Sequence, residues 1–215
     1  MKDKVYRFSK TARFVHWLYA CSYLILLFTG LLLFTDWFDF LAPVFGGFRG
    51  AQIVHRVVAI IFILPAVIFI LFDFKNFRGW LKESFTWTKD DFRALPLLVK
   101  NILGMKADIP PQGFINAGEK LNSLMVMVFT VVIIVSGFIK WFPGHFDISL
   151  VRWASAVHSG AVALMTPIAI VHMYLGLLSP NSKASLSGML YGWVDATYAK
   201  EHHEKWYNEV MSIKK

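Results

Sequence analysis

Four apolar stretches decide what this chain can fold into: residues 14–34, 52–72, 121–141 and 151–178. About 20 apolar residues in a helix cross the ~30 Å hydrocarbon core of a bilayer. In that core a helix satisfies all of its own backbone donors and acceptors. The expected fold is therefore all-α and integral to the membrane: a four-transmembrane-helix bundle. Pro65 and Pro167 fall inside the second and fourth stretches, which spanning helices tolerate as kinks. Trp17, Trp37, Trp141 and Trp153 lie near the ends, where interfacial anchors belong. Composition agrees: 56% of the 215 residues are hydrophobic and the mean hydropathy is +0.52. The first stretch follows a basic arm, as in a secretory signal, but it is longer than a signal core and no A-x-A-like site follows. It is expected to be a retained span.

Lysine and arginine orient the spans. The N-terminal arm carries Lys2, Lys4, Arg7, Lys10 and Arg13; residues 73–117 carry Lys75, Arg78, Lys82, Lys89, Arg93, Lys100 and Lys106. The tail, 179–215, adds Lys183, Lys200, Lys205, Lys214 and Lys215, whereas the two other loops share only Arg49. The positive-inside rule then puts both termini and the 73–117 loop in the cytoplasm, in a multi-pass membrane protein. The net charge of +8 is spent on these flanks, so membrane lipids are expected contacts and nucleic acid is not. Within the long loop, Trp80, Phe85, Trp87, Phe92 and Leu95 alternate with charges, which suits an interfacial amphipathic helix. Pro110-Pro111 ends any helix there, and the polar, aromatic tail is expected as a helix against a partner. Residues 1–215 read as a single membrane domain.

Four histidines lie inside the apolar stretches: His16, His55, His158 and His172. Histidine in a lipid core is costly and marks function. His158 and His172 share one stretch, fourteen residues apart. At about 100° and 1.5 Å per residue they point within about 40° of each other and stand ~21 Å apart along the axis. His16 starts the first span on the cytoplasmic side and His55 starts the second on the outer side. Equal depth pairs His16 with His172 and His55 with His158. Two axial histidines at each of two depths suit two stacked haems. Cys21 is the lone cysteine, which excludes an internal disulfide, a cysteine-held iron–sulfur cluster and covalent C-x-x-C-H attachment. Any haem is thus b-type. The histidines' second ring nitrogens are expected to donate to a carbonyl or water.

Other residues admit two readings. Thr29-Gly30 and Ser136-Gly137 allow a porphyrin, or simply a neighbouring helix, to approach the backbone. Arg13, Arg49, Arg56 and Arg152 suit haem propionates or snorkelling to the interface. His145, His202 and His203 lie outside the spans and are expected to be non-ligands. The rival in a different class is a transporter whose intramembrane histidines relay protons without haem.

The motifs extend beyond the histidines. R-F-V-H-W spans 13–17, V-H-R surrounds His55, N-A-G-E-K spans 116–120, H-M-Y starts at His172 and H-H-E-K-W-Y at His202. On these the chain resembles the gamma subunits of respiratory formate dehydrogenases, di-haem membrane cytochromes b whose wider relatives serve hydrogenases and thiosulfate reductases. The resemblance implies an electron-transfer subunit beside an iron–sulfur subunit and a periplasmic molybdenum/tungsten formate dehydrogenase catalytic subunit. It also implies a place in the bacterial cytoplasmic (inner) membrane, and it admits a higher oligomer of that complex. Electrons would pass through the outer and then the inner haem to menaquinone or ubiquinone on the cytoplasmic side. The family's quinone pocket maps onto Asn116, Ala117, Gly118 and His172. A hydrogenase or thiosulfate-reductase cytochrome b is the alternative within the class.

Overall fold

The computed structural model describes residues 3–213; Lys2, Lys214 and Lys215 of the charge argument lie outside them. Four helices are long and apolar enough to span a bilayer: α1 (Lys10–Phe34), α2 (Gly47–Phe72), α5 (Ala117–Trp141) and α6 (Ile148–Leu177). Between α2 and α5 come α3 (Phe74–Phe85) and α4 (Lys89–Ile102); after α6 come α7 (Leu186–Tyr191), α8 (Ala196–His202) and α9 (Glu204–Ile213). One short ribbon, β1 (Lys4–Tyr6) with β2 (Trp193–Asp195), was not foreseen. Each long helix begins three to five residues before its apolar run. The reason is capping: polar Ser9, Asn116 and Asp147 accept first-turn N–H groups of α1, α5 and α6. By contacts the chain divides into two compact units, Phe8–Phe77 and Met1–Arg7 with Arg78–Lys215.

In the unit Phe8–Phe77, α1 and α2 form a hairpin closed at both ends. At one end the Ser9 hydroxyl donates to the Asp73 carboxylate, tying the start of α1 to the end of α2. At the other, residues 36–45 form a 3-10 stretch that stops at Gly46, whose φ of 74° is left-handed. Gly50 is obligatory there, because a Cβ would stand 1.9 Å from the Phe45 carbonyl oxygen. Tyr19 stacks on Phe62 with ring centroids 4.7 Å apart, setting the register of the two helices.

In the second unit, a turn at Pro143–His145 joins α5 to α6. The expected interfacial helix of the long loop is two helices, α3 and α4, broken at Thr86–Thr88. Thr88 and Asp91 form a reciprocal capping box that starts α4. Asp91 also receives the buried Lys120 ammonium at 3.0 Å, which fastens α4 to the first turn of α5. Burial pushes the Asp91 carboxyl up, but hydrogen bonds from Thr88 and Lys120 outweigh it and hold the group below its ordinary range.

The tail differs from expectation. It folds on its own chain: Val5 of β1 packs with Val194, Tyr198, Ala199 and Trp206 in a small buried core. Three residues per strand give too little apolar area for independent stability. The ribbon depends on α8 and α9, whose aromatic residues close that core. The polar look of the tail concealed this, because its apolar residues are few and sit on short elements.

The long helices hide little of themselves. In α6 only 11% of the apolar window is buried inside the chain. Val128, Val131, Val135 and Phe138 make an exposed stripe on α5. Water would not tolerate such faces; lipid does.

Candidate functional site

His16 stands in α1 and His55 in α2, in the first hairpin; His158 and His172 stand in α6, in the second. α6 runs unbroken through Pro167, so the fourteen-residue spacing is a spacing along one helix. His172 is exposed and the other three are half-buried.

The two hairpins carry the same local device. In the first, Thr29 is fully buried on α1 and its hydroxyl oxygen lies 2.8 Å from His55 Nδ1 on α2. In the second, buried Ser136 on α5 places its hydroxyl oxygen 3.1 Å from His158 Nδ1 on α6. The glycine after Ser136 makes room for the imidazole, and the glycine after Thr29 lies within ordinary contact range of it. A Cβ at Gly30 would meet His55 Cε1 at 3.5 Å, and one at Gly137 would meet His158 Cε1 at 3.2 Å.

Hydrogen positions follow from counting. Each hydroxyl has one proton and two acceptor lone pairs. The Thr29 hydroxyl lies 2.8 Å from the Ile25 carbonyl, and the Ser136 hydroxyl lies 2.6 Å from the Val132 carbonyl. A carbonyl only accepts, so each hydroxyl donates back along its own helix and accepts from the imidazole. His158 Nδ1 also lies 3.1 Å from the Ile133 carbonyl, which again only accepts. Both rings are therefore Nδ1–H tautomers with the lone pair on Nε2. That is the form in which Nε2 binds a metal. The residues present thus fit a haem held by imidazole nitrogen. Sequence reading had Thr29-Gly30 and Ser136-Gly137 only as small pairs and expected a carbonyl or water at Nδ1. The hydroxyl partners were missed, although each stands at the depth of the histidine it serves.

Asn116, Ala117 and Gly118 form one structural feature, the start of α5. N-A-G-E-K is largely consumed in building it. The Asn116 side-chain oxygen accepts the Glu119 N–H at 2.9 Å and Glu119 accepts the Asn116 N–H at 2.9 Å. The Ala117 N–H is taken by Gln112 Oε1 at 2.8 Å. Lys120 is the anchor to α4 described above, and Arg7 pairs with Glu119 at 3.1 Å. The first N–H groups of a helix have no partner within it, and here those of Asn116, Ala117 and Glu119 are all taken up internally. Among the described residues, the Gly118 N–H and the Asn116 side-chain amide remain. Gly118 also keeps this surface open, since a Cβ there would stand 3.3 Å from Asn116 Oδ1.

The tail braces this start. His203 donates from Nδ1 to the Gly113 carbonyl at 2.9 Å. The Lys205 N–H donates to the Gln112 carbonyl at 2.9 Å. Trp206 meets Phe114 edge-to-face at 5.5 Å. H-H-E-K-W-Y is thus the clamp on the segment that leads into α5. His203 has no solvent exposure, and its Nε2 has no hydrogen-bond partner. Burial first, then the nearby Arg7 guanidinium, pushes its pKa down to about 4, against the pull of Glu119.

A pH dependence follows. Above the ordinary histidine value, near 6.5, the ring is neutral whether the tail is docked or not. As pH falls towards about 4, the undocked tail takes a proton that the docked one refuses. Docking therefore weakens, by up to about 3 kcal/mol. Between pH 6.5 and 4.5 the protection factors of α8 and α9 amides, which are exchange rates corrected for the intrinsic effect of pH, should fall. His203→Leu should be looser at neutral pH, losing the Gly113 bond, yet lack the acid step. An acid step of full size in that variant would assign it to another group.

Comparison with known proteins adds the following. The family described as prokaryotic cytochrome b561 matches residues 7–192. The cytochrome b556(fdo) subunit of formate dehydrogenase from Escherichia coli (strain K12) is 28% identical, over 97% of this chain and 94% of that protein. The formate dehydrogenase cytochrome b556 subunit of Haemophilus influenzae is 26% identical, over 98% and 85% respectively. The nitrate-inducible formate dehydrogenase cytochrome b556(Fdn) subunit of Escherichia coli (strain K12) is 26% identical, over 92% and 88%. The resemblance read from the motifs is thereby borne out.

Proposed function

The chain belongs to the prokaryotic cytochrome b561 family, membrane cytochromes of electron transport that carry haem b, and from that premise we propose that it is the quinone-reducing subunit of a respiratory formate dehydrogenase. It acts as one di-haem domain. His55 and His158 would hold the iron of an outer haem, and His16 and His172 that of an inner haem. When bound, the two haems supply one-electron relay across the bilayer. The partners are an iron–sulfur subunit and a periplasmic molybdenum/tungsten catalytic subunit, which oxidises formate. The acceptor is menaquinone or ubiquinone at Asn116, Ala117 and Gly118, beside His172. The chain has no part in formate chemistry itself.

The observation that carries this reading is the pair of Nδ1–H imidazoles, His55 and His158, in a chain whose family match covers residues 7–192. The fourteen-residue doublet on α6 supports the second depth. Orientation rests on charge. The basic residues of β1, α3, α4 and the tail all belong to connections on one side, which the positive-inside rule assigns to the cytoplasm of the inner membrane. A proton-relaying carrier would need none of this tautomer control.

The test is haem content. A pyridine haemochrome assay on the purified chain should give close to two haem b per polypeptide, all of it extractable by acid acetone. A value near one, or haem left bound after extraction, would sink the two-depth pairing.

A further inference from the structure

We propose that Thr29 and Ser136 are positioning residues that set the reduction potential of the outer haem through its two ligands. The proposal rests on the reading that His55 and His158 bind one iron. The argument begins with the shared device: a buried hydroxyl on the first helix of each hairpin accepts the Nδ1 proton of the histidine on the second. An imidazole that donates from Nδ1 is a more basic ligand at Nε2, because the N–H electrons shift into the ring. A more basic ligand favours ferric iron and lowers the potential. Burial strengthens the effect, since Thr29 and Ser136 are 0% and 3% exposed and water does not compete for the proton.

The hydroxyls are also fixed. Each donates to the carbonyl four residues back on its own helix, so neither can rotate to act as a donor towards the ring without breaking that bond. A Cβ at Gly137 would crowd His158 Cε1 at 3.2 Å, whereas one at Gly30 would make ordinary contact with His55 at 3.5 Å. His158 shares its proton between Ser136 and the Ile133 carbonyl, and His55 is held by Thr29.

These contacts give the expected results. Thr29→Val keeps the shape and removes the acceptor; the midpoint potential of one haem should rise. A tenfold change in the one-electron equilibrium, ~59 mV, is the scale expected. Ser136→Ala should raise the same haem's potential too, while the Ile133 carbonyl still accepts from His158. Thr29→Ser and Ser136→Thr should restore wild-type values. The other haem should not move in any of the four. Gly137→Ala should alter the low-spin electron paramagnetic resonance signal of the same haem, and Gly30→Ala should alter it less.

Redox titration of the purified complex, with haem content measured alongside, separates the outcomes. If Thr29→Val and Ser136→Ala hold haem and neither midpoint shifts, the proposal is overturned. Equal shifts in both haems overturn it as well, since that is general loosening. Should either variant lose haem, recovery in Thr29→Ser or Ser136→Thr supports the proposal, and loss in the conservative variants too overturns it. Failure of the underlying reading looks different: His55→Ala and His158→Ala would then abolish different spectral components in the parent protein.

Discussion

Alanine at His55 or His158 should remove one haem, and alanine at His16 or His172 the other, with quinone reduction lost in the second pair. Haem content should fall from about two per chain towards one in each single variant. The expected effect is large because a b-type haem has no covalent tether here: Cys21 is the lone cysteine. Axial bonds and packing are all that hold it. The variants should also sort by partner. His55→Ala and His158→Ala lose the same spectral component, and so do His16→Ala and His172→Ala. In the first pair the remaining haem still exchanges electrons with added quinol, but formate no longer reduces it. In the second pair formate still reduces the remaining haem, but quinone does not reoxidise it. If His55→Ala and His16→Ala abolish the same component, pairing by depth is wrong. The histidines would then need another partition or another role.

How legible this was depends on the kind of signal. Spanning helices were plain, because an apolar run of the right length has few alternatives in lipid. Their starts were less so. Ser9, Asn116 and Asp147 lie outside the apolar runs, and capping rather than hydropathy decides where the backbone turns helical. The hydroxyls at Nδ1 were half visible: Thr29-Gly30 and Ser136-Gly137 stood out as small pairs, but only a partner helix can say what they admit. The tail was the least legible part. Its β-ribbon joins residues separated by almost the whole chain, Val5 to Val194, and no local pattern encodes such a contact. The structure also changes the meaning of two motifs. N-A-G-E-K reads first as a binding fingerprint, yet its Asn, Glu and Lys each have a structural duty at the head of α5. H-H-E-K-W-Y reads as a partner surface, yet His203, Lys205 and Trp206 hold the approach to that same helix. What is left over from these duties, the Asn116 amide and the Gly118 N–H, is therefore the sharper candidate for contact with a ligand.

Replacing Asn116 should slow quinone reduction while both haems still bind and still take electrons from formate. In the proposed site the leftover donors would face a quinone oxygen that gains negative charge on reduction, and donors preorganised at such a point are worth on the order of tenfold to a hundredfold in rate. Asn116→Leu removes both the amide and the helix cap, and losing a cap costs about 1 kcal/mol. Asn116→Ser separates the two roles, because a serine hydroxyl still caps α5 but cannot reach out with an amide. Both variants should therefore be slow with quinone, and only the leucine variant should be less stable to heat. If the serine variant reoxidises its haems at the parent rate, Asn116 matters as a cap alone and the quinone binds elsewhere. The side of proton uptake follows from the same placement. On the proposed orientation, with α5 starting in the cytoplasm, the two protons that accompany two electrons onto the quinone would come from inside, while oxidation of formate to carbon dioxide would release its proton outside. Charge is then separated without a pump. In vesicles of known orientation, a pH dye in the cytoplasm-facing volume should report alkalinisation as formate is oxidised, in step with quinol formation. Uptake from the opposite side would reverse the orientation assigned to all four spans, and the quinone site with it.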